Sequence, residues 1–149
     1  MSYADKSFEV YIHQDAKTYK IGDYYDENGI SGVVVQTYDN GRHGLIVHKH
    51  GGCGNFFAAL DFRNGLGDQW NFPTPAVYRM INNNMNTINN AIDKVNGTRI
   101  KSGIHWSNMA EDSYTGEGAY VYDMRTGDEY NENVWDEELF IYYRVVAQF

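Results

Sequence analysis

At 149 residues with a formal net charge of −8, the chain has the length of one ordinary domain built on one main core. Its acidic balance argues against duplex nucleic acid or an anionic membrane surface as partner, because both are held through Lys and Arg. A hydrophobic share of 42% with only 2 Pro excludes a disordered chain, and a single cysteine, Cys53, excludes an internal disulfide framework.

The N-terminal MSYADKSFEV lacks a basic start followed by an apolar run, and nowhere do about 18 apolar residues follow one another. This fits a chain made without export, or one from which a signal has been removed, and it argues against membrane insertion. Aromatic residues make up 15% of the chain and 13 of them are Tyr. Tyr suits surfaces that are half apolar and half wet, and it also has a high strand propensity.

In chain order, Phe8, Val10 and Ile12 alternate with Glu9, Tyr11 and His13, which predicts a strand. Residues 1–20 are therefore read as an N-terminal strand or arm, and residues 21–149 as the domain. A hairpin follows: Gly32 to Tyr38 runs into Asp39-Asn40-Gly41, and Gly44 to His48 returns. Asn-Gly is the strongest short hairpin signal, and the unbroken Val33-Val34-Val35 predicts a strand covered on both faces.

Asn55 to Asn64 predicts a short helix, ended by Gly65 and Gly67. Thr74 is placed to cap a second helix whose first position is Pro75, where the missing N–H costs nothing. Val77, Ile81, Met85, Ile88, Ile92 and Val95 then recur at spacings of four, four, three, four and three, one apolar stripe on a single long helix. Its other faces carry Asn82, Asn83, Asn84, Asn86, Asn89 and Asn90, mediocre helix formers that leave packing to hold it. Asn96-Gly97 marks a turn. Strands are predicted at Gly103 to Ser107, Ala119 to Met124 and Phe140 to Phe149, joined by long polar loops.

These landmarks carry a resemblance. Gly22-Asp23-Tyr24-Tyr25, Gly32-Val33-Val34 and His43-Gly44-Leu45-Ile46-Val47 resemble an opening hairpin; Trp70 to Pro75 resembles a "W-x-L-P-T" segment with Phe72 in place of Leu; Trp106-Ser107-Asn108 resembles "W-S-S"; Tyr143-Arg144-Val145-Val146 resembles a closing "V-R-x-V" strand. In this order, across roughly residues 20 to 149, they are similar to bacterial and phage domains related to the C-terminal domain of collagen-like adhesins, within the C-type-lectin-like fold group. The acidic residue usual three places after the helix cap is Val77 here, which weakens a capping box.

The resemblance implies an α+β domain: a twisted antiparallel sheet, two helices and long surface loops that carry ligand contacts on a rigid scaffold. It places Trp70 and Trp106 in the scaffold. It implies a non-enzymatic ligand- or receptor-binding domain of a phage virion, in its tail or fibre, or of a bacterial surface adhesin. The partner would be a host-surface protein or glycan, and the location the virion or the extracellular cell surface. In an alternative reading the chain is a structural virion component whose aromatic surface packs on neighbouring virion subunits or forms a homo-oligomer.

Asn108, Asp112, Tyr114, Tyr122, Arg125, Tyr130, Asn131, Asn133 and Trp135, between Ser107 and Glu138, are the candidate ligand-binding residues. Trp135, flanked by Asn133 and Asp136, offers an aromatic anchor or closes its own loop. Arg144 is expected in a structural ion pair.

Other chemistries are weaker. Cys53 near His43, His48 and His50 does not make a complete catalytic set, because no third orienting group or oxyanion device accompanies it. His48 and His50 lie on one side of a strand and would hold zinc with Cys53 only if a fourth ligand existed. For calcium, Glu111, Asp112, Asp136, Glu137 and Glu138 supply oxygens, yet acidic loop runs are ordinarily solvated. The sequence thus implies no cofactor, no metal and no enzymatic activity.

Overall fold

The structure is a computed structural model and describes residues 17–108, 118–133 and 140–149. Over those residues it is an α+β fold of three helices and two five-stranded sheets. The strand expected around Phe8 to Ile12 lies outside the described residues.

The first sheet begins with β1 (Tyr24–Glu27) and β2 (Ile30–Tyr38), an antiparallel pair. Asn28 and Gly29 join them with φ of 56° and 79°, the left-handed pair that a two-residue hairpin demands and that Asn and Gly tolerate best. The next turn, Asp39-Asn40-Gly41, is also left-handed, and it leads into β3 (His43–Val47), paired antiparallel with β2 as the sequence predicts. A bulge between Val34 and Gln36 shifts that register.

The second sheet starts with β4 (Gly52–Gly54). Helix α1 (Phe56–Leu66) follows, and the Asn55 side chain caps it by accepting from the Ala58 N–H at 2.9 Å. After β5 (Trp70–Asn71), Thr74 caps α2 (Pro75–Asn83) by accepting from the Val77 N–H at 3.1 Å, with Pro75 in the first turn. Both caps fall where the sequence predicts a helix start.

The long helix does not form as expected. It is broken at Asn84, and α3 (Met85–Lys94) begins just beyond. Asn84 adopts φ −124° and ψ 25°, and its side-chain amide donates to the Met80 carbonyl at 2.9 Å, a local bond that competes with the helical ladder. Periodicity survives the break because Val77, Ile81, Ile88 and Ile92 remain buried on one side.

Strands β6 (Ile104–Trp106), β7 (Gly118–Asp123), β8 (Glu129–Asn133), β9 (Ile141–Tyr143) and β10 (Val146–Gln148) complete the chain. The sheet orders are β1-β2-β3-β10-β5 and β4-β9-β6-β7-β8, antiparallel except for β6 with β9. The single closing strand expected from Phe140 to Phe149 is therefore two. Between them Arg144 and Val145 carry the chain from one sheet to the other.

The chain also crosses from β3 to β4 beside that point, and the His48 N–H donates to the Val145 carbonyl at 3.0 Å. Arg144, 2% exposed, pins the two crossings together: its Nε donates to the His48 carbonyl at 3.0 Å and its Nη2 to the Lys49 carbonyl. No carboxylate faces it among the described residues, so the expected ion pair is replaced by backbone carbonyls. Burial brings its pKa down to about 10, and the guanidinium stays charged at neutral pH.

Two apolar clusters take the place of one core, on opposite faces of the first sheet. Val33, Val35 and Val47 pack with Tyr78, Ile81, Ile88 and Ile92 of α2 and α3. Val34 and Ile46 pack with Phe56, Trp70, Phe72, Trp106 and Ile141, toward α1 and the second sheet. The Val33 to Val35 run is fully buried because alternate residues serve different clusters. Trp70 and Trp106 belong to the scaffold, and Trp106 Nε1 donates to the Gly54 carbonyl at 3.2 Å.

Candidate functional site

A groove of about 710 Å³ opens where β5, the edge strand of the first sheet, meets the start of α2 and the end of β10. Leu45, Phe72, Val77, Val146 and Ala147 give it an apolar floor, and Asp68, Gln69, Asn71, Thr74, Asn108 and Gln148 supply polar groups. The volume falls within the roughly 300–1,000 Å³ usual for small-ligand sites.

Most of these polar groups are uncommitted. The side chains of Asp68, Gln69, Asn71 and Gln148 make no hydrogen bond with another described residue, and all four residues are exposed. Asn108 is placed by its backbone N–H, which donates to the Pro73 carbonyl at 3.0 Å. Its Oδ1 is buried and without a hydrogen-bond partner among the described residues, which costs about 1–3 kcal/mol unless a donor arrives.

Of the sequence-predicted residues that the structure describes, only Asn108 lies in this groove. Arg125, Tyr130 and Asn131 gather instead at the β7–β8 hairpin. The Arg125 Nε and Nη2 clasp the two carboxylate oxygens of Asp123, each at 3.2 Å, and this fork holds the Asp123 carboxyl below its usual range. Tyr130 is partly buried opposite Val121, and burial raises its hydroxyl pKa. Asn131 is exposed on β8, and Asn133 ends that strand opposite Gly118.

Tyr122 is displaced from the surface set. It is 3% exposed, and its ring stacks on Tyr78 with centroids 5.6 Å apart and planes 2° from parallel. Strand alternation turns it toward the helices. Asp112, Tyr114 and Trp135 lie outside the described residues.

The Cys53 region has a different character. Cys53 is exposed on β4, and the share of its surface that is covered raises the thiol pKa, the opposite of an activated thiolate. The His48 Nδ1 accepts from the His50 N–H at 3.0 Å, while His50 Nδ1 lies 3.2 Å from Thr98 Oγ1. Among the described residues no three of His, Cys, Asp and Glu converge on a common point, and no helix there is long and apolar enough to cross a membrane.

The groove residues that sequence reasoning missed are Asp68, Gln69, Asn71, Thr74 and Gln148. Four of them flank the landmark Trp70 and Phe72, and the alternation of polar with buried aromatic residues in Asp68-Gln69-Trp70-Asn71-Phe72 was the available signal. Gln148 had none, because its position beside β5 follows from strand pairing across the whole chain. No protein-family model matches the chain, and no curated protein matches it.

Proposed function

We propose that the chain is a non-enzymatic recognition domain of C-type-lectin-like architecture, from a phage tail or fibre or a bacterial surface adhesin. Its principal ligand site is the groove between β5, α2 and β10. The observation that carries this reading is the set of uncommitted amide and carboxylate groups around an apolar floor, with the buried Asn108 Oδ1 awaiting a donor. No cation lines the groove among the described residues, and Asp68 disfavours an anion. A neutral ligand rich in N–H or O–H donors, on a host-surface protein or glycan, suits it.

Two sequence features support the reading: the order of the landmarks from Gly22 to Val146 and the abundance of Tyr and Asn. The test is binding to glycan and cell-surface arrays by the unmodified chain and by Asn71→Ala and Asn108→Ala. Both variants should bind at least about tenfold more weakly, as expected when a ligand donor loses its acceptor, with thermal melting unchanged for the exposed Asn71→Ala and not lowered for Asn108→Ala, which removes an unpaired buried oxygen. Full binding in both removes the groove assignment. Loss confined to Tyr130→Ala and Asn131→Ala moves the site to the β7–β8 hairpin.

A further inference from the structure

Away from the groove, a cavity of about 190 Å³ lies against the edge of the second sheet, where β4 and β9 face residues 98–101. It is smaller than a drug-sized ligand needs, roughly 300 Å³ or more, so it suits a single ring or a short chain. Its lining is mostly carbon and includes Ile100, Tyr142 and Tyr143. Glycines let those rings in. A Cβ on Gly52 would stand 2.5 Å from the Tyr143 ring carbon Cζ, and one on Gly103 3.0 Å from the Tyr142 ring.

The charge around this cavity runs against that of the chain. Among the described residues its walls include Arg99, Lys101 and Arg144 and no Asp or Glu, although the chain as a whole carries −8. Arg99 is paired with Asp93. Arg144 is satisfied by carbonyls. Lys101 is exposed and has no carboxylate partner among the described residues. His105, also in the wall, is kept neutral by burial, its pKa lowered to about 4.

We propose that this cavity binds a small monocarboxylate with an apolar body, the ring or chain against the carbon lining contributed by Ile100 and β9 and the carboxylate toward Lys101. Carbon walls take the body by ordinary apolar burial. Lys101, without a carboxylate partner, and Arg144, bound to carbonyls alone, favour the anion, because its removal from water is offset by nearby positive charge. Cys53, in the same wall and the chain's one cysteine, serves as a built-in reporter of occupancy.

The test uses benzoate, with benzyl alcohol and benzylamine as neutral and cationic controls of the same shape. The readouts are the rate of Cys53 alkylation by iodoacetamide, itself neutral, and the amide NMR shifts of Ile100, Lys101 and Tyr142. Benzoate should slow alkylation at least about threefold at saturation and shift those amides, while the alcohol and the amine should need at least about fivefold higher concentrations to do the same. Lys101→Gln, an exposed substitution that leaves the fold intact, should raise the half-protecting concentration about two- to fivefold, the usual effect of an exposed charge pair. Equal protection by benzyl alcohol, shifts without protection, no shift with benzoate, or an unaltered Lys101→Gln would each overturn the assignment.

Discussion

Asn89 is the one Asn of the helical series that is buried. Its amide donates to the Ile100 carbonyl at 3.0 Å and its Oδ1 accepts from the Ile100 N–H at 2.7 Å, so one side chain satisfies both polar groups of a buried backbone unit. Asn89→Ala leaves both orphaned and should destabilise the fold by about 2–6 kcal/mol in denaturant unfolding, at about 1–3 for each group. Asn90→Ala, exposed on the same helix, should change stability by less than about 0.5 kcal/mol. The sequence does not distinguish these two Asn, since their difference lies in a loop that arrives from residue 100. Asn108 is singled out in the sequence by its type and its place after Trp106 and Ser107, and it lines the groove. Tyr122 is not legible as core, because composition says nothing about which face of a strand a Tyr occupies.

At the scale of elements, the features legible in the sequence are those with local causes. The two helix caps, the Asp39-Asn40-Gly41 hairpin and the doubly covered Val33 to Val35 strand are written in a few adjacent residues. Thr74→Ala should cost about 1 kcal/mol, the usual value of a lost cap, and Thr74→Ser should restore most of it, both read by chemical denaturation. Since Thr74 also lines the groove, a binding loss in Thr74→Ala that Thr74→Ser repairs belongs to the hydroxyl, which is also the group that caps the helix. The features that escape the sequence have remote causes. Residues 129–133 look like polar loop, and they become a strand because β7 offers its edge. Trp70-Asn71 is too short to announce a strand and is one only because β10 lies alongside. The break at Asn84 has a local signal, six Asn in one helix, and the intact apolar stripe masks it.

For the molecule as a whole, the two clusters and the linked sheets make stability depend on pH through buried histidine. His105, 2% exposed, has its pKa lowered by burial from 6.5 to about 4, and His48 is lowered in the same direction, also chiefly by burial. The unfolded chain therefore takes up protons first as the pH falls, so stability declines from pH 6.5 down to about 4 and then levels off for this group. The loss assignable to His105 is of order 3 kcal/mol. Urea midpoints measured from pH 7 to pH 4 should fall accordingly, and His105→Gln should flatten that slope. Asp123, held down mainly by its bond to Arg125, adds a further loss only below about pH 3.8, its ordinary value.

The paired crossings at Arg144 bear on biosynthesis. β10 lies between β3 and β5 in one sheet, and β9 lies between β4 and β6 in the other, so residues 141–148 join parts that would otherwise not touch within either sheet. A nascent chain that has reached only residue 140 holds the hairpins and helices but not the strands that connect them. Neither sheet can close until residues 141–148 are made, and the unpaired edges of β3, β4, β5 and β6 wait together, the condition in which chaperone engagement and aggregation compete. Stalled ribosomal complexes probed by proteolysis should stay sensitive until residue 148 has cleared the exit tunnel, then become resistant in a single step.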